Sequence, residues 1–225
     1  MGLLLRIRNP HLPVIELIED LEGHVSNILV LNSSLSGEAS ISRLLVADAV
    51  AELTQRHPGA TLVFRDLAAD PVPHLTPDTV AGVRAVASTP AEHGARKLSD
   101  ELIAELRAAD VIVIGAPMYN FSIPTTLRTW FDHVLRAGET FSYSEAGPQG
   151  LLTNKKVIVV EARGGHYSEG PGQAADFQEP YLRHLLGFIG LTDVTFIRAE
   201  KIGYGPDARD QALADSRAEL ARIAA

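Results

Sequence analysis

Short apolar runs recur along the chain and are separated by segments with helical spacing. Five of these runs are rich in β-branched residues and do not alternate with polar residues; they span 28–31, 61–64, 111–114, 157–160 and 194–197. Continuous apolar runs of about four to eight residues are typical of strands buried on both faces of a sheet. The pattern therefore predicts a parallel sheet of five strands.

Helical periodicity fills the segments between these runs. The spacing of apolar residues predicts helices over 41–53, 77–87, 124–137, 179–189 and 206–223. The third should begin at Pro124, a favoured first-turn residue, and stop at Gly138. Ser99, which two acidic residues follow, is expected to open one more helix.

Strands that alternate with helices predict βαβ units and therefore an α/β three-layer sandwich. With five strands the expected order is 2-1-3-4-5, which is the flavodoxin-like order. No linker divides the chain, so we expect residues 27–225 to form one domain. Residues 1–26 are interpreted as an N-terminal extension of unknown role.

Composition and charge exclude several classes of protein. The chain has 225 residues, a formal net charge of −8 and no cysteine, which excludes disulfide scaffolds, thiol nucleophiles and iron–sulfur clusters. The acidic balance argues against nucleic acid as a partner. No apolar run approaches the ~18 residues of a membrane span, and the N-terminus lacks a secretory core of ~7–15 apolar residues. We therefore expect a cytoplasmic protein with no membrane partner, and the histidine spacing predicts no metal site.

The segment between the first strand and the first helix carries five serines, among them Ser34, Ser40 and Ser42, and no basic residue before Arg43. A helix N-terminus offers unpaired N–H groups and a partial positive charge, to which hydroxyls add donors. This arrangement suits a phosphate dianion. The same serines can instead cap the helix and fill a turn, and the segment alone does not decide between these interpretations.

Two further loops follow the third and fourth strands, at the same edge of the predicted sheet. The first contains Met118, Tyr119, Asn120 and Phe121, and the second contains a pair of glycines. An isoalloxazine ring needs flat stacking partners and a few fixed polar groups along its edge, and paired glycines expose consecutive N–H groups. Taken singly, the first loop can simply cover the hydrophobic core, and the second can be a simple turn. Three candidate cradles at one edge favour a flavin.

Competing phosphate motifs are missing from the sequence. It contains neither the G-x-x-x-x-G-K-[ST] pattern of triphosphate sites nor the G-x-G-x-x-G pattern of dinucleotide sites, and no G-x-S-x-G nucleophile elbow. The predicted cofactor is therefore non-covalent FMN.

Several strings of residues give the chain a resemblance to a known family. They span 65–68, 98–102, 116–121, 147–148, 163–165, 186–190 and 199–200, and the string at 116–121 is highly specific. On these residues the chain resembles the FMN-dependent NADH:azoreductases, also called NAD(P)H:quinone oxidoreductases, of flavodoxin-like fold. The resemblance implies ping-pong transfer of two electrons from NADH or NADPH to a quinone or azo compound, a small aromatic acceptor. It also implies a homodimer whose active sites are shared between its subunits.

The resemblance further assigns cofactor ligands. The FMN phosphate and ribityl region would be held by Ser34, Ser40, Ile41 and Ser42. The flavin ring would be held by Met118, Tyr119, Asn120, Phe121, Ala162, Arg163, Gly164 and Gly165. Ala162 stands where the family has serine, so this chain must do without that hydroxyl.

Four side chains are candidates for the substrate side of the flavin, namely Phe141, Tyr143, His166 and Tyr167. For the first two, loop packing is the alternative. Because hydride transfer needs an exposed flavin and flat stacking partners, we expect no essential acid or base in the protein. The alternative function is a flavodoxin-like electron carrier without its own organic substrate; a flavin-less interaction module is a third.

Overall fold

The computed structural model describes residues 25–223. Within that range, the strands are β1 Asn27–Asn32, β2 Thr61–Asp66, β3 Val111–Pro117, β4 Phe141–Ser144, β5 Gly147–Gly150, β6 Lys156–Ala162 and β7 Asp193–Ala199. The α-helices are α1 Ile41–Arg56, α2 Val80–Arg84, α3 Pro90–Ala108, α4 Thr125–Val134, α5 Glu179–Phe188 and α6 Pro206–Ile223. The extension proposed for residues 1–26 lies outside the described residues except for its last two.

The central sheet has five parallel strands in the order β2-β1-β3-β6-β7. The predicted parallel sheet is confirmed, and its strands counted alone run 2-1-3-4-5. The numbering differs because β4 and β5 form a separate antiparallel hairpin, which lies in a segment that was predicted as a plain connection. Its strands carry glycine, proline and polar residues, so they lack the apolar pattern that identified the others.

Successive strand residues face opposite sides of the sheet and build two cores. Leu29 belongs to the core beneath α3, α4 and α5, whereas Val30 belongs to the core beneath α1 and α6. Trp130 is fully buried in the first core, where it meets Phe131 edge-on at 5.1 Å between ring centroids. Apolar contact on both faces explains why the strand runs are continuous rather than alternating.

The predicted start of α3 at Ser99 is wrong. The helix begins at Pro90, after a capping box in which the Thr89 hydroxyl accepts from the Glu92 N–H and the Glu92 carboxylate accepts from the Thr89 N–H. That box satisfies the first N–H groups of the helix. Ser99 is instead a fully buried mid-helix residue whose hydroxyl donates to the His133 carbonyl at 2.7 Å.

The predicted end of α4 at Gly138 is also wrong, because the helix ends at Val134. The Thr140 hydroxyl donates to the Val134 carbonyl at 2.7 Å and so takes the place of the next helical N–H. Gly138, at φ 80°, belongs to the turn that follows. A side-chain cap from six residues away leaves no signal in the helical spacing.

No helix between residues 25 and 223 combines the length and the apolar character needed to cross a membrane.

Candidate functional site

The segments that follow β1, β3 and β6 meet at the carboxyl edge of the sheet. β1 and β3 are neighbours, yet β1 leads into α1 on one face and β3 leads into α4 on the other. Chains that leave adjacent strands in opposite directions open a crevice between them. The crevice lies where the sequence predicted a cofactor site.

The serine loop, residues 33–42, lines one side of this crevice with buried hydroxyls. Ser33 donates to the Gly115 carbonyl at 2.6 Å and so fixes the loop to β3. Ser40 caps α1, because its hydroxyl accepts from the Arg43 N–H at 3.1 Å; it also lies 3.1 Å from the Ser42 hydroxyl. The capping interpretation therefore holds for Ser40, and it does not account for Ser42, which is 1% exposed.

The start of α1 leaves N–H donors without protein acceptors. Among the described residues, no hydrogen bond to protein is formed by the N–H groups of Ile41 and Ser42. These amides stand at the positive end of a helix of 16 residues, beside the buried Ser42 hydroxyl. Orphan amides and neutral hydroxyls at a helix N-terminus are the groups that bind a phosphate dianion. The residues present fit the phosphate of FMN.

The ring-facing turn, residues 118–121, has a strained backbone. Asn120 and Phe121 have φ values of 48° and 70°, and Tyr119 and Ser122 close the turn with reciprocal N–H to carbonyl bonds of 2.9 and 3.1 Å. These are the features of a type I′ turn, for which phenylalanine is unfavourable because its Cβ crowds the backbone. Strain of this kind is concentrated at functional sites. The turn leaves the Phe121 side chain 49% exposed.

Tyr119 joins this turn to the serine loop. Its hydroxyl accepts from the Leu35 N–H at 2.9 Å and lies 3.4 Å from the Ser34 hydroxyl. Met118, at the base of the turn, donates its N–H to the Ala162 carbonyl at 2.9 Å. The structure thus brings together the serine loop, the ring-facing turn and the segment 162–165, which the sequence analysis assigned to the phosphate and the ring.

The Gly164-Gly165 pair follows β6 and is held through its carbonyls. Within residues 25–223 neither N–H has a protein acceptor, while the two carbonyls accept from the N–H groups of Gly203 at 2.9 Å and Lys201 at 2.8 Å. A Cβ added at Gly164 would meet nothing within 4 Å. Two unpaired donors beside an open space suit the polar edge of a flat ring.

Arg163 does not present its side chain to this space. The guanidinium is fully buried and lies 2.5 Å from Glu161, 3.1 Å from Asp176 and 3.2 Å from Glu200, and the Arg163 N–H is bonded to the Ala199 carbonyl. The Arg163 side chain is therefore turned inward, away from the glycine pair. Burial raises the pKa of Glu161 to about 8 even though Arg163 opposes the shift.

The four substrate-side candidates divide into two pairs. His166 and Tyr167 lie beside the glycine pair and, with Tyr204, line a cavity of about 570 Å³; Tyr167 also meets Phe121 edge-on at 6.1 Å. Phe141 is buried 4.5 Å from Phe188 at the end of α5, at the opposite edge of the sheet. Tyr143 is on the same hairpin as Phe141 and is 72% exposed, so this pair does not reach the crevice of its own chain.

Sequence reasoning missed several residues that shape the site. Gln178 is fully buried and Phe177 is 62% exposed beside the ring-facing turn; both lie in a connection without periodicity. Glu161 did carry a signal, since it is a lone acidic residue in an otherwise apolar strand. No cluster of potential metal ligands occurs in the described part of the chain.

The fold and the crevice define a flavodoxin-like α/β protein whose serine loop, strained turn and glycine pair meet at one switch point. Residues 26–224 match the flavodoxin-like fold family. The chain belongs to the family of FMN-dependent NADH:quinone oxidoreductases and azoreductases.

Similar proteins support this assignment. An FMN-dependent NADH:quinone oxidoreductase of Hyphomonas neptunium is 62% identical over 200 residues, which are 89% of this chain and 96% of that protein. A protein of the same name from Ralstonia nicotianae is 52% identical over 86% of this chain and 94% of its own length. The crystal structure of an azoreductase from Bacillus anthracis strain Sterne superposes with a TM-score of 0.81 at 30% identity, covering 88% of this chain and 98% of that one.

Proposed function

We propose that this protein is an FMN-dependent oxidoreductase that passes two electrons from NADH to quinones, with azo compounds as further acceptors. One observation carries the proposal: unpaired backbone donors at the start of α1 and at the glycine pair lie at the same crevice, where the ring-facing turn joins them. The names of the Hyphomonas and Ralstonia relatives supply the donor and the acceptor class.

Each segment of the crevice has a task. The Ile41 and Ser42 amides and the Ser34 and Ser42 hydroxyls would hold the phosphate, and the ring would lie between the ring-facing turn and the glycine pair. When bound, FMN supplies two-electron transfer between a nicotinamide and a conjugated acceptor. The glycine N–H groups would stabilise negative charge at the polar edge of the ring.

The substrate side is formed by aromatic and imidazole groups rather than by an acid–base pair. Phe121 and Tyr167 offer flat faces and edges beside the ring-facing turn, and His166 lies within 3.5 Å of Glu200. Donor and acceptor are both flat, so they would occupy this space in succession, which is a ping-pong order. The protein stacks and orients both molecules and excludes water.

The active unit is a homodimer in the cytoplasm, with residues 27–225 of each chain forming one domain. Tyr143 supports the dimer, since it is 72% exposed on a hairpin at the edge opposite the crevice of its own chain. A second copy of the chain can bring such a hairpin over the flavin, which a single domain leaves open on the side of the glycine pair. Pairing would also cover the exposed Tyr143 ring.

The function is tested with purified protein. Heat release should put FMN into the supernatant, and the holoprotein should oxidise NADH with a panel of quinones and an azo dye without an added reductase. FAD, or no flavin after reconstitution, would overturn the cofactor assignment. A flavin that accepts electrons only from a separate reductase would indicate the carrier function instead.

The dimer is tested by specific activity across a dilution series, with mass measured by light scattering. We expect activity to fall as the dimer separates, because each site would lose the hairpin of the other chain. Tyr143→Ala should weaken turnover while the FMN content stays the same. A fully active monomer would refute the shared site.

A further inference from the structure

Beneath the crevice, a buried amide joins the two segments that flank the proposed ring position. The Gln178 side chain is fully buried. Its Nε2 donates to the Ala116 carbonyl at 2.7 Å, and its Oε1 accepts from Arg163 Nε at 3.1 Å. One side chain thus spans from the end of β3 to the residue that follows β6.

The Arg163 end of this connection is held by charge. Besides its contacts with Glu161 and Asp176, the guanidinium lies 3.2 Å from Glu200. Glu200 in turn accepts from the N–H groups of Tyr167 at 2.8 Å and Ser168 at 3.0 Å. Although burial acts to raise it, hydrogen bonds from Ser168 and Tyr167 hold the pKa of Glu200 below its ordinary value, so this carboxylate stays charged. Glu200 therefore links the segment after the glycine pair to the buried Arg163 side chain.

The ring-facing turn is held by the residue next to Gln178. The Phe177 N–H donates to the Phe121 carbonyl at 3.1 Å. Phe121 has a positive φ, and strained backbone persists only where surrounding contacts determine it. The position of Gln178 therefore affects both sides of the crevice. Its side chain acts on the segment of the glycine pair through Arg163, and its neighbour Phe177 acts on the ring-facing turn.

We propose that Gln178 and Arg163 are positioning residues that set the spacing between the ring-facing turn and the Gly164-Gly165 pair. We call the two side chains the Gln178–Arg163 bracket. This inference rests on the proposed function only in naming the flavin ring as the group that the spacing serves. Neither side chain touches the flavin; both act through the loops that do.

The bracket has a test that needs no flavin. Gln178→Ala should raise amide hydrogen exchange together in residues 118–122 and 163–168 of the apoprotein, and leave exchange in the serine loop unchanged. Ser99→Ala is the matched control, because it also removes a fully buried hydrogen-bonding side chain, but from α3. If Gln178→Ala changes exchange no more than Ser99→Ala does in these two segments, the bracket is refuted.

Flavin binding tests the role of the spacing. Lumiflavin, which has the ring but no phosphate, should bind Gln178→Ala about tenfold more weakly than the wild type, the scale expected when a buried hydrogen bond is lost. FMN affinity should fall by the same factor, because the phosphate contacts are untouched. Arg163→Lys should lower the affinities for both lumiflavin and FMN. A purely structural role predicts a lower melting temperature with unchanged lumiflavin affinity, and that result would overturn the inference.

The two proposals fail separately. If the wild-type protein binds neither FMN nor lumiflavin, the proposed function falls, while hydrogen exchange still decides whether the bracket couples the two segments. If the wild type binds FMN and Gln178→Ala binds lumiflavin equally well, the bracket falls and the proposed function stands.

Discussion

The serine loop, residues 33–42, and the segment after β6, residues 163–168, stand at the same edge of the sheet but rest on different chemistry. The serine loop is held by neutral hydroxyls and backbone amides, such as the bond from Ser33 to the Gly115 carbonyl. The segment after β6 is held by one buried guanidinium among four acidic side chains, those of Glu161, Asp176, Glu179 and Glu200.

The difference follows from what each segment must supply. The serine loop ends in a helix, whose first turn already provides aligned donors and a favourable field for an anion. A pair of glycines has no preferred conformation of its own, so contacts outside the turn must set its shape. Charged contacts that are buried and multiply hydrogen-bonded give a defined geometry at the cost of sensitivity to the loss of any member.

The largest expected effect is that of removing the central charge. Arg163→Ala should lower the free energy of unfolding by about 3–5 kcal/mol, because it leaves buried carboxylates without their partner. Urea unfolding of the apoprotein measures this loss. The matched control is Arg65→Ala, which removes an arginine paired with Glu101 and Glu105 near the surface and should cost about 1 kcal/mol or less. Equal losses of unfolding free energy in the two variants would contradict the prediction that the buried arginine contributes more to stability than the one near the surface.

The next effect concerns the proton on Glu161. Its pKa in the folded protein is raised by burial from the ordinary 4.5 to about 8. Between these values the folded state binds more protons than the unfolded state, so this group makes stability fall as pH rises through the window. Glu161→Gln removes that dependence. As pH rises, the free energy of unfolding of the variant should therefore increase relative to that of the wild type, by at most about 1.4 kcal/mol per pH unit.

Urea unfolding of both proteins from pH 5 to pH 8 measures this divergence. Burial lowers the pKa of His133 and gives an opposite slope, but that slope is common to the two proteins and cancels in their difference. Parallel stability curves would show that Glu161 stays ionised beside Arg163.

Loss of the hydroxyls on the other side of the crevice should act on the ligand instead. Ser34→Ala combined with Ser42→Ala should weaken FMN binding by roughly 1–3 kcal/mol in total, the range for hydrogen bonds to a charged group. Fluorescence titration measures the affinity, and the stability of the apoprotein should barely change. Lumiflavin binding should be unaffected, since the ring contacts lie elsewhere. If the apoprotein loses stability while FMN affinity stays intact, these serines only fill a turn.

The smallest effect should come from Ser40, which caps α1. Ser40→Ala should lower the stability of the apoprotein by about 1 kcal/mol, the usual cost of losing an N-cap. Thermal unfolding compares this variant with Ser42→Ala, which forms no cap. A Ser40→Ala protein as stable as the wild type would show that the Arg43 N–H finds another acceptor.

Much of the fold could be predicted from the sequence because it depends on local patterns. The strand runs are apolar on both faces, so each predicted strand lies within one residue of its observed start. The starts of α1 and α6 were also found. The start of α3 was missed because two residues outside the apolar spacing, Thr89 and Glu92, set it through a capping box. The hairpin β4–β5 was missed because its pairing is not accompanied by a hydrophobic face.

The candidate site divides in the same way. Serines before a helix and paired glycines after a strand are local features, so the sequence placed both segments at the carboxyl edge. The direction of a side chain is not a local feature. Arg163 was expected at the ring, and its side chain is turned inward because it is buried among acidic side chains from β6, from the residue after β7 and from the start of α5.

The sequence by itself determined the five strands of the central sheet, the place of the serine loop before α1 and the absence of cysteine chemistry, since each follows from residues that are neighbours along the chain. Only the tertiary structure decided that the Gln178 side chain joins Ala116 in β3 to Arg163 after β6, and that Phe141 packs at the far edge of the sheet. Gln178 and Ala116 are 62 positions apart. Contacts at that separation depend on how whole strands and helices stack, and no spacing of residue types within one segment records them.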